Sequence, residues 1–196
     1  MKKLLFILFA FGALSLSALA STNINSIPTA SAVTVQTIPF DIAIDGATFR
    51  NGNGVNPFAM PPPVIPRGTT LILNGKLFPS GTVHSGMQTN DPNGPGSIGD
   101  FYCRGTFVNS FADIIMGAQP EVQTTQLYRF SNGDQLITEG VEGGGVWIRA
   151  VTGGTGAYRG ASGEMRYERV GTNITGDFNI RVVFTLNMPA QSRQLP

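Results

Sequence analysis

The sequence predicts an all-β domain. Three observations carry this. From residue 37 onward, apolar and polar residues alternate with a period of two in one short segment after another, as half-buried strands do. Glycine-rich turns separate those segments, among them Ser131-Asn132-Gly133-Asp134 and Gly143-Gly144-Gly145. Beyond the N-terminus, no stretch of ten or more residues shows an amphipathic helical stripe. About eight strands result, and closing them into one barrel would remove the open edges that invite aggregation in a chain with few charges.

The elements follow in order. Residues 1–20 read as a signal peptide: Lys2 and Lys3, an apolar run from Leu4 to Leu14, and Ala18-Leu19-Ala20 before a cut preceding Ser21. The run is short for a membrane span, which needs about 20 residues. Residues 21–36 form a flexible leader rich in Ser, Thr, Asn and Ala. The barrel is expected over residues 37–190. Its first strand, residues 37–46, alternates Ile38, Phe40, Ile42 and Ile44 with polar neighbours. Five prolines between Pro57 and Pro66 then exclude a ladder.

Further strands are expected at residues 69–77, 101–108, 122–130, 135–142, 146–152, 158–169 and 177–187, with a turn of helix within 109–120. The Asn132-Gly133 link marks a hairpin. Inward faces are assigned to Leu71, Leu73 and Leu77; Phe101, Cys103 and Phe107; Tyr128 and Phe130; Ala161, Met165 and Tyr167; and Phe178, Ile180, Val182 and Phe184.

Composition excludes several classes. The whole chain carries 13 Lys and Arg against 12 Asp and Glu; without Lys2 and Lys3 the balance is 11 − 12 = −1. No basic footprint for nucleic acid or a membrane surface remains. One cysteine and one histidine exclude an internal disulfide and are too few ligands for the usual nitrogen and sulfur zinc site. An eight-stranded outer-membrane barrel fits length and signal, but Gln123, Glu164, Arg166, Glu168, Asn179 and Arg181 occupy the face that lipid would touch.

Residues 151–163, VTGGTGAYRGASG, resemble a nucleotide-binding glycine turn by letters. A phosphate loop needs a helix after it. Gly160 and Gly163 fall where that helix would run, and Ala161, Met165 and Tyr167 keep strand spacing. The glycines are better explained as a left-handed turn, then as relief where the next strand bends.

The same block, Ala150 to Gly163 with Gly153-Gly154-Thr155-Gly156 at its centre, resembles the strand–GGTG–strand signature of dirigent proteins and the allene oxide cyclase barrel superfamily. Gly75-Lys76-Leu77-Phe78-Pro79, Tyr128-Arg129-Phe130, Gly140 and the last strand support it, over residues 68–187. Dirigent proteins commonly have Ala-Arg-Gly where this chain has Ala161-Ser162-Gly163. The short signal without a disulfide suggests a bacterial allene oxide cyclase-like branch. The resemblance implies an eight-stranded antiparallel barrel with an apolar cavity, often a homo-oligomer, working without metal or organic cofactor.

Within such a barrel, Cys103, Gln126, Tyr128 and Tyr167 would bring polar atoms to a ligand. Glu139 shares a face with Ile137 and Val141. Facing inward it would be a carboxylate suited to acid or base work; facing outward it would pair with Arg149 or Arg129. Trp147 and Arg149 share a face and could hold a planar ligand or simply stack at the surface. Cys103 reads as a small core hydrophobe rather than a nucleophile. Ser162 is no hydrolase elbow, because no strand-to-helix turn follows it. Asn173-Ile174-Thr175 is a formal glycosylation sequon.

Two functions are expected from these residues. One is a secreted or periplasmic, cofactor-independent isomerase, cyclase or stereochemistry-directing protein acting on a small hydrophobic molecule, where orientation does most of the work. The other is a non-catalytic carrier or structural protein of the same fold.

Overall fold

The computed structural model describes residues 33–52, 64–84 and 91–190. The expected signal peptide and most of the leader lie outside the described residues, as does most of the proline-rich segment. Eight strands form one closed antiparallel barrel in chain order: β1 (Val33–Asn51), β2 (Thr70–Pro79), β3 (Gly99–Phe107), β4 (Val122–Phe130), β5 (Gln135–Glu142), β6 (Val146–Thr155), β7 (Ser162–Thr172) and β8 (Phe178–Pro189). β8 closes on β1 through eleven consecutive pairs, from Val33↔Pro189 to Ala43↔Asn179. A five-residue helix, α1 (Phe111–Ile115), is capped by Ser110, whose Oγ accepts from the Asp113 amide at 3.2 Å.

Several expected boundaries change, among them the end of β1, which runs past residue 46 to Asn51 and pairs Arg50 and Asn51 with Ile72 and Leu71. β1 begins at Val33, so residues 33–36, assigned to the leader, are strand: closure against the end of β8 gives their amides partners that the local composition does not suggest. β6 runs through Gly153 and Gly154, which pair with Ile137 and Leu136. The next strand starts at Ser162 rather than at residue 158, because Gly156–Tyr158 forms a 3-10 turn first. The glycine block is therefore strand, turn and strand, with positive φ at Gly156, Gly160 and Gly163.

The interior has two kinds of filling. At one end, Phe40 lies 5.6 Å from Tyr128, 5.6 Å from Phe130 and 5.4 Å from Phe184, ring centroid to centroid. Leu77, Leu136, Met165 and Val182, all fully buried, belong to the same core, against which Phe130 packs half-buried. Aromatic and aliphatic burial of this kind is the main stabilising term of the fold. Toward the other end the packing opens, and there the strands enclose a cavity.

Candidate functional site: a cavity at one end of the barrel

The cavity measures about 260 Å³. Ile44, Leu71, Leu73, Phe101, Phe107 and Ile180 supply its apolar wall, and Phe111, Ile114 and Ile115 of α1 cover it. The helix is held there by its Phe111 amide, which donates to the Ile65 carbonyl at 2.9 Å. An engineered cavity of about 150 Å³ holds benzene, so this space admits a molecule of one or two rings.

A buried polar network lies beside it. Glu142 Oε1 accepts from Thr124 Oγ1 at 2.7 Å, and Glu142 Oε2 accepts from Gln126 Nε2 at 2.9 Å. The Tyr128 hydroxyl donates to Gln126 Oε1. Arg149 donates from Nε to Thr138 Oγ1 at 3.2 Å and from its two terminal nitrogens to the carbonyls of Gly140, at 3.2 Å, and Thr124, at 2.9 Å. It also stands 3.9 Å from Glu142. Every donor and acceptor here has a partner, as burial demands. The network holds Gln126 and Glu142 in fixed rotamers at the cavity wall.

A second cluster closes the mouth. Arg169 donates to both carboxylate oxygens of Glu121, at 3.3 and 2.8 Å, and to the Tyr167 hydroxyl at 3.2 Å. Its guanidinium lies 4.1 Å over the Phe178 ring. Next to it sits Asp177, 1% exposed. The β7–β8 turn fixes Asp177: the Asn173 amide donates to its carbonyl at 2.8 Å, and Asn173 Nδ2 anchors the turn to the Ile44 carbonyl at 2.8 Å. Asp177 Oδ1 accepts from the Phe178 amide at 2.6 Å. Its Oδ2 is buried and has no hydrogen-bond partner among the described residues.

Burial pushes the Asp177 carboxyl up to about 6, against the lowering pull of the Phe178 amide and Arg169. Burial also raises the Cys103 thiol, with Glu142 adding to the effect, so Cys103 is a lining group rather than a thiolate nucleophile. The Tyr128 and Tyr167 phenols are likewise raised by burial and stay protonated.

Three of the sequence-predicted ligand residues, Cys103, Gln126 and Tyr167, line the cavity. Tyr128 stands behind Gln126, in the aromatic plug. Trp147 and Arg149 do share the inward face, but they form no planar-ligand clamp. Trp147 Nε1 donates to the Gly144 carbonyl at 2.9 Å, and the Arg149 guanidinium is engaged within the wall. Glu139 requires a correction as the catalytic carboxylate. It is exposed on the outer surface, where it accepts a long hydrogen bond of 3.5 Å from Thr125 Oγ1. The inward face of β5 carries Leu136, Thr138 and Glu142 instead. The Asn173 sequon is also closed to modification by its bond to Ile44, since Asn173 is 1% exposed.

The residues missed from sequence are Asp177, Arg169, Glu121 and Glu142. Arg169 and Glu121 are 48 positions apart and meet only across the barrel mouth. Asp177 sits in a turn, where an acidic residue ordinarily signals solvent exposure.

The raised Asp177 pKa has a consequence for stability. A carboxyl whose folded pKa exceeds its unfolded value, here about 6 against 3.8, favours folding below the unfolded value. That contribution is lost as pH rises through 6, leaving a deficit of about 2–3 kcal/mol at pH 8. Asp177→Asn is therefore expected to raise unfolding free energy by about 1–2 kcal/mol at pH 8 and to change nothing at pH 3.5. Urea unfolding at the two pH values checks this; equal effects at both would mean that Asp177 is not charged when buried.

No family model and no curated protein matches the chain. Among solved structures it is similar to a pterocarpan synthase dirigent protein, with TM-score 0.54 and 16% identity over 90% of this chain and 99% of that one. A second pterocarpan synthase dirigent protein gives TM-score 0.56 and 15% identity over 81% and 97%. A pyocyanin demethylase matches at TM-score 0.49 and 16% identity over 76% and 100%. Strand order, closure and the two dirigent likenesses agree: the chain has the closed eight-stranded barrel fold of the dirigent proteins.

Proposed function

We propose that this protein is an exported barrel that takes a small, largely apolar molecule into its cavity and holds it in one orientation. The observation that carries the reading is an apolar space of about 260 Å³ with a buried carboxylate oxygen lacking a partner. A fold that needed only a core would fill the space and pair the acid. The two pterocarpan synthase dirigent proteins give the reading a precedent on the same fold.

A catalytic version, a cofactor-independent isomerisation or cyclisation, is favoured over simple carriage by one feature. Asp177 has a pKa near 6, so at neutral pH it is a base that can also return a proton. Tyr167 and Cys103, both protonated, line the same cavity with neutral polar atoms.

The experiment is native mass spectrometry of protein purified from its own export fraction, followed by release and identification of anything bound. A mature chain starting at Ser21 and carrying a releasable apolar molecule is the expected result. Retention of residues 1–20 would overturn export. An empty protein that also fails to take up small aromatic compounds would overturn the cavity reading.

A further inference from the structure

The charges around the cavity do not cancel. Arg169 is neutralised by both oxygens of Glu121, and its Nε is engaged by Tyr167. Arg149, within the wall, is matched by Glu142 at 3.9 Å. Two arginines thus answer two glutamates, and Asp177 is the carboxylate left over. It is buried, with a single amide bond on Oδ1 and no partner on Oδ2 among the described residues. A neutral hydroxyl would satisfy the lone pairs of Oδ2 but leave the buried charge uncompensated. An ammonium satisfies both. The rings of Phe49, Phe101, Phe107 and Phe178 line the same space, and aromatic faces attract cations. A carboxylate ligand would meet Asp177 with like charge, and the charge of Arg169 is already answered by Glu121.

We propose that the cavity is selective for a small apolar amine in its protonated form, with the ammonium on Asp177 Oδ2 and the apolar body against the phenylalanine wall. This rests on the reading of the cavity as a ligand site and adds the chemical class of what it takes.

The test uses three probes with one skeleton: 3-phenylpropan-1-amine, 3-phenylpropan-1-ol and 3-phenylpropanoate, titrated calorimetrically into the mature protein at pH 8. The amine is expected to bind roughly tenfold or more tighter than the alcohol, and the acid weakest. In Asp177→Asn the amine should lose its preference over the alcohol.

A second measurement needs no variant. Between pH 7 and 5 the wild-type preference for the amine should disappear as Asp177 takes a proton, because the amine itself stays charged with an ordinary pKa near 10. The bound cation draws that transition below 6. The other charged groups facing Asp177 are Arg169 on β7 and Asp45 on β1, with Glu121 and Glu142 farther round the cavity; the asparagine variant across the same range isolates Asp177 from them. Alcohol binding that equals or exceeds amine binding would overturn the proposal and leave the cavity reading standing. Binding of none of the three, with an empty protein in native mass spectrometry, would overturn both.

Discussion

Arg149→Met is expected to destabilise the fold by about 3–5 kcal/mol, the cost of leaving a buried charge without its partner. Arg149 is 1% exposed, and Glu142, 3.9 Å away, is 5% exposed. Removing the guanidinium strips Glu142 of its counter-charge and leaves Thr138 Oγ1 without a donor. Adding Glu142→Gln removes the stranded charge while keeping an amide that can still meet Thr124 and Gln126. The double variant is therefore expected to recover at least half of the loss. The surface pair Arg166–Glu168, with side chains 42% and 37% exposed, gives the contrast: Arg166→Ala should change stability by less than about 0.5 kcal/mol. Urea unfolding followed through Trp147, the chain's one tryptophan, measures all three. A single variant no worse than the double would mean that Glu142 does not depend on Arg149.

Gly163→Ala is expected to cost about 3 kcal/mol or more. Its φ is +133°, and a Cβ there would overlap the Thr185 carbonyl oxygen on β8. Backbone strain contributes about 1–3 kcal/mol and the overlap about as much again. Gly153 lies in the same block but has no positive φ and nothing within 4 Å of a built Cβ. Gly153→Ala is expected to stay within about 1 kcal/mol of the parent. Thermal unfolding of the two variants separates the accounts of this sequence. A phosphate loop would need several glycines for access to a ligand; a barrel strand needs Gly163 for closeness to its neighbour. Comparable losses at both positions would contradict the strand account.

The repeated alternation of side chains made most of the barrel legible. Where one face of a strand is plainly apolar, as in Phe101, Cys103 and Phe107 or Ile180, Val182 and Phe184, only one side can be the core. Those assignments needed no partner strand to settle them. Cys103, Gln126 and Tyr167 were placed inside for the same reason, and they do line the cavity.

β5 shows where this reasoning stops. Its outward face carries Ile137 and Val141, and its inward face carries Thr138 and Glu142, so local hydrophobicity favours the wrong side. Turn length decided the matter. A two-residue Asn132-Gly133 link would pair Tyr128 with Ile137 and turn Glu139 inward. The hairpin instead has one more residue. The Phe130 amide donates to the Asp134 carbonyl at 2.9 Å, Gly133 has φ of +90°, and Tyr128 pairs with Leu136. One added residue in a hairpin turns every later side chain to the other face. Glu139 went to solvent and Glu142 into the wall.

By itself, then, the sequence determined the strand count, the inward face of most strands and the structural meaning of the glycine block, because a period of two and a steric need for glycine are both local properties. Barrel closure determined the rest. It brought Glu121 to Arg169 across 48 positions. It also buried Asp177, a turn residue, beside an apolar cavity. Which charges meet, and which one is left over, depends on register and closure, and no short stretch of the chain encodes either.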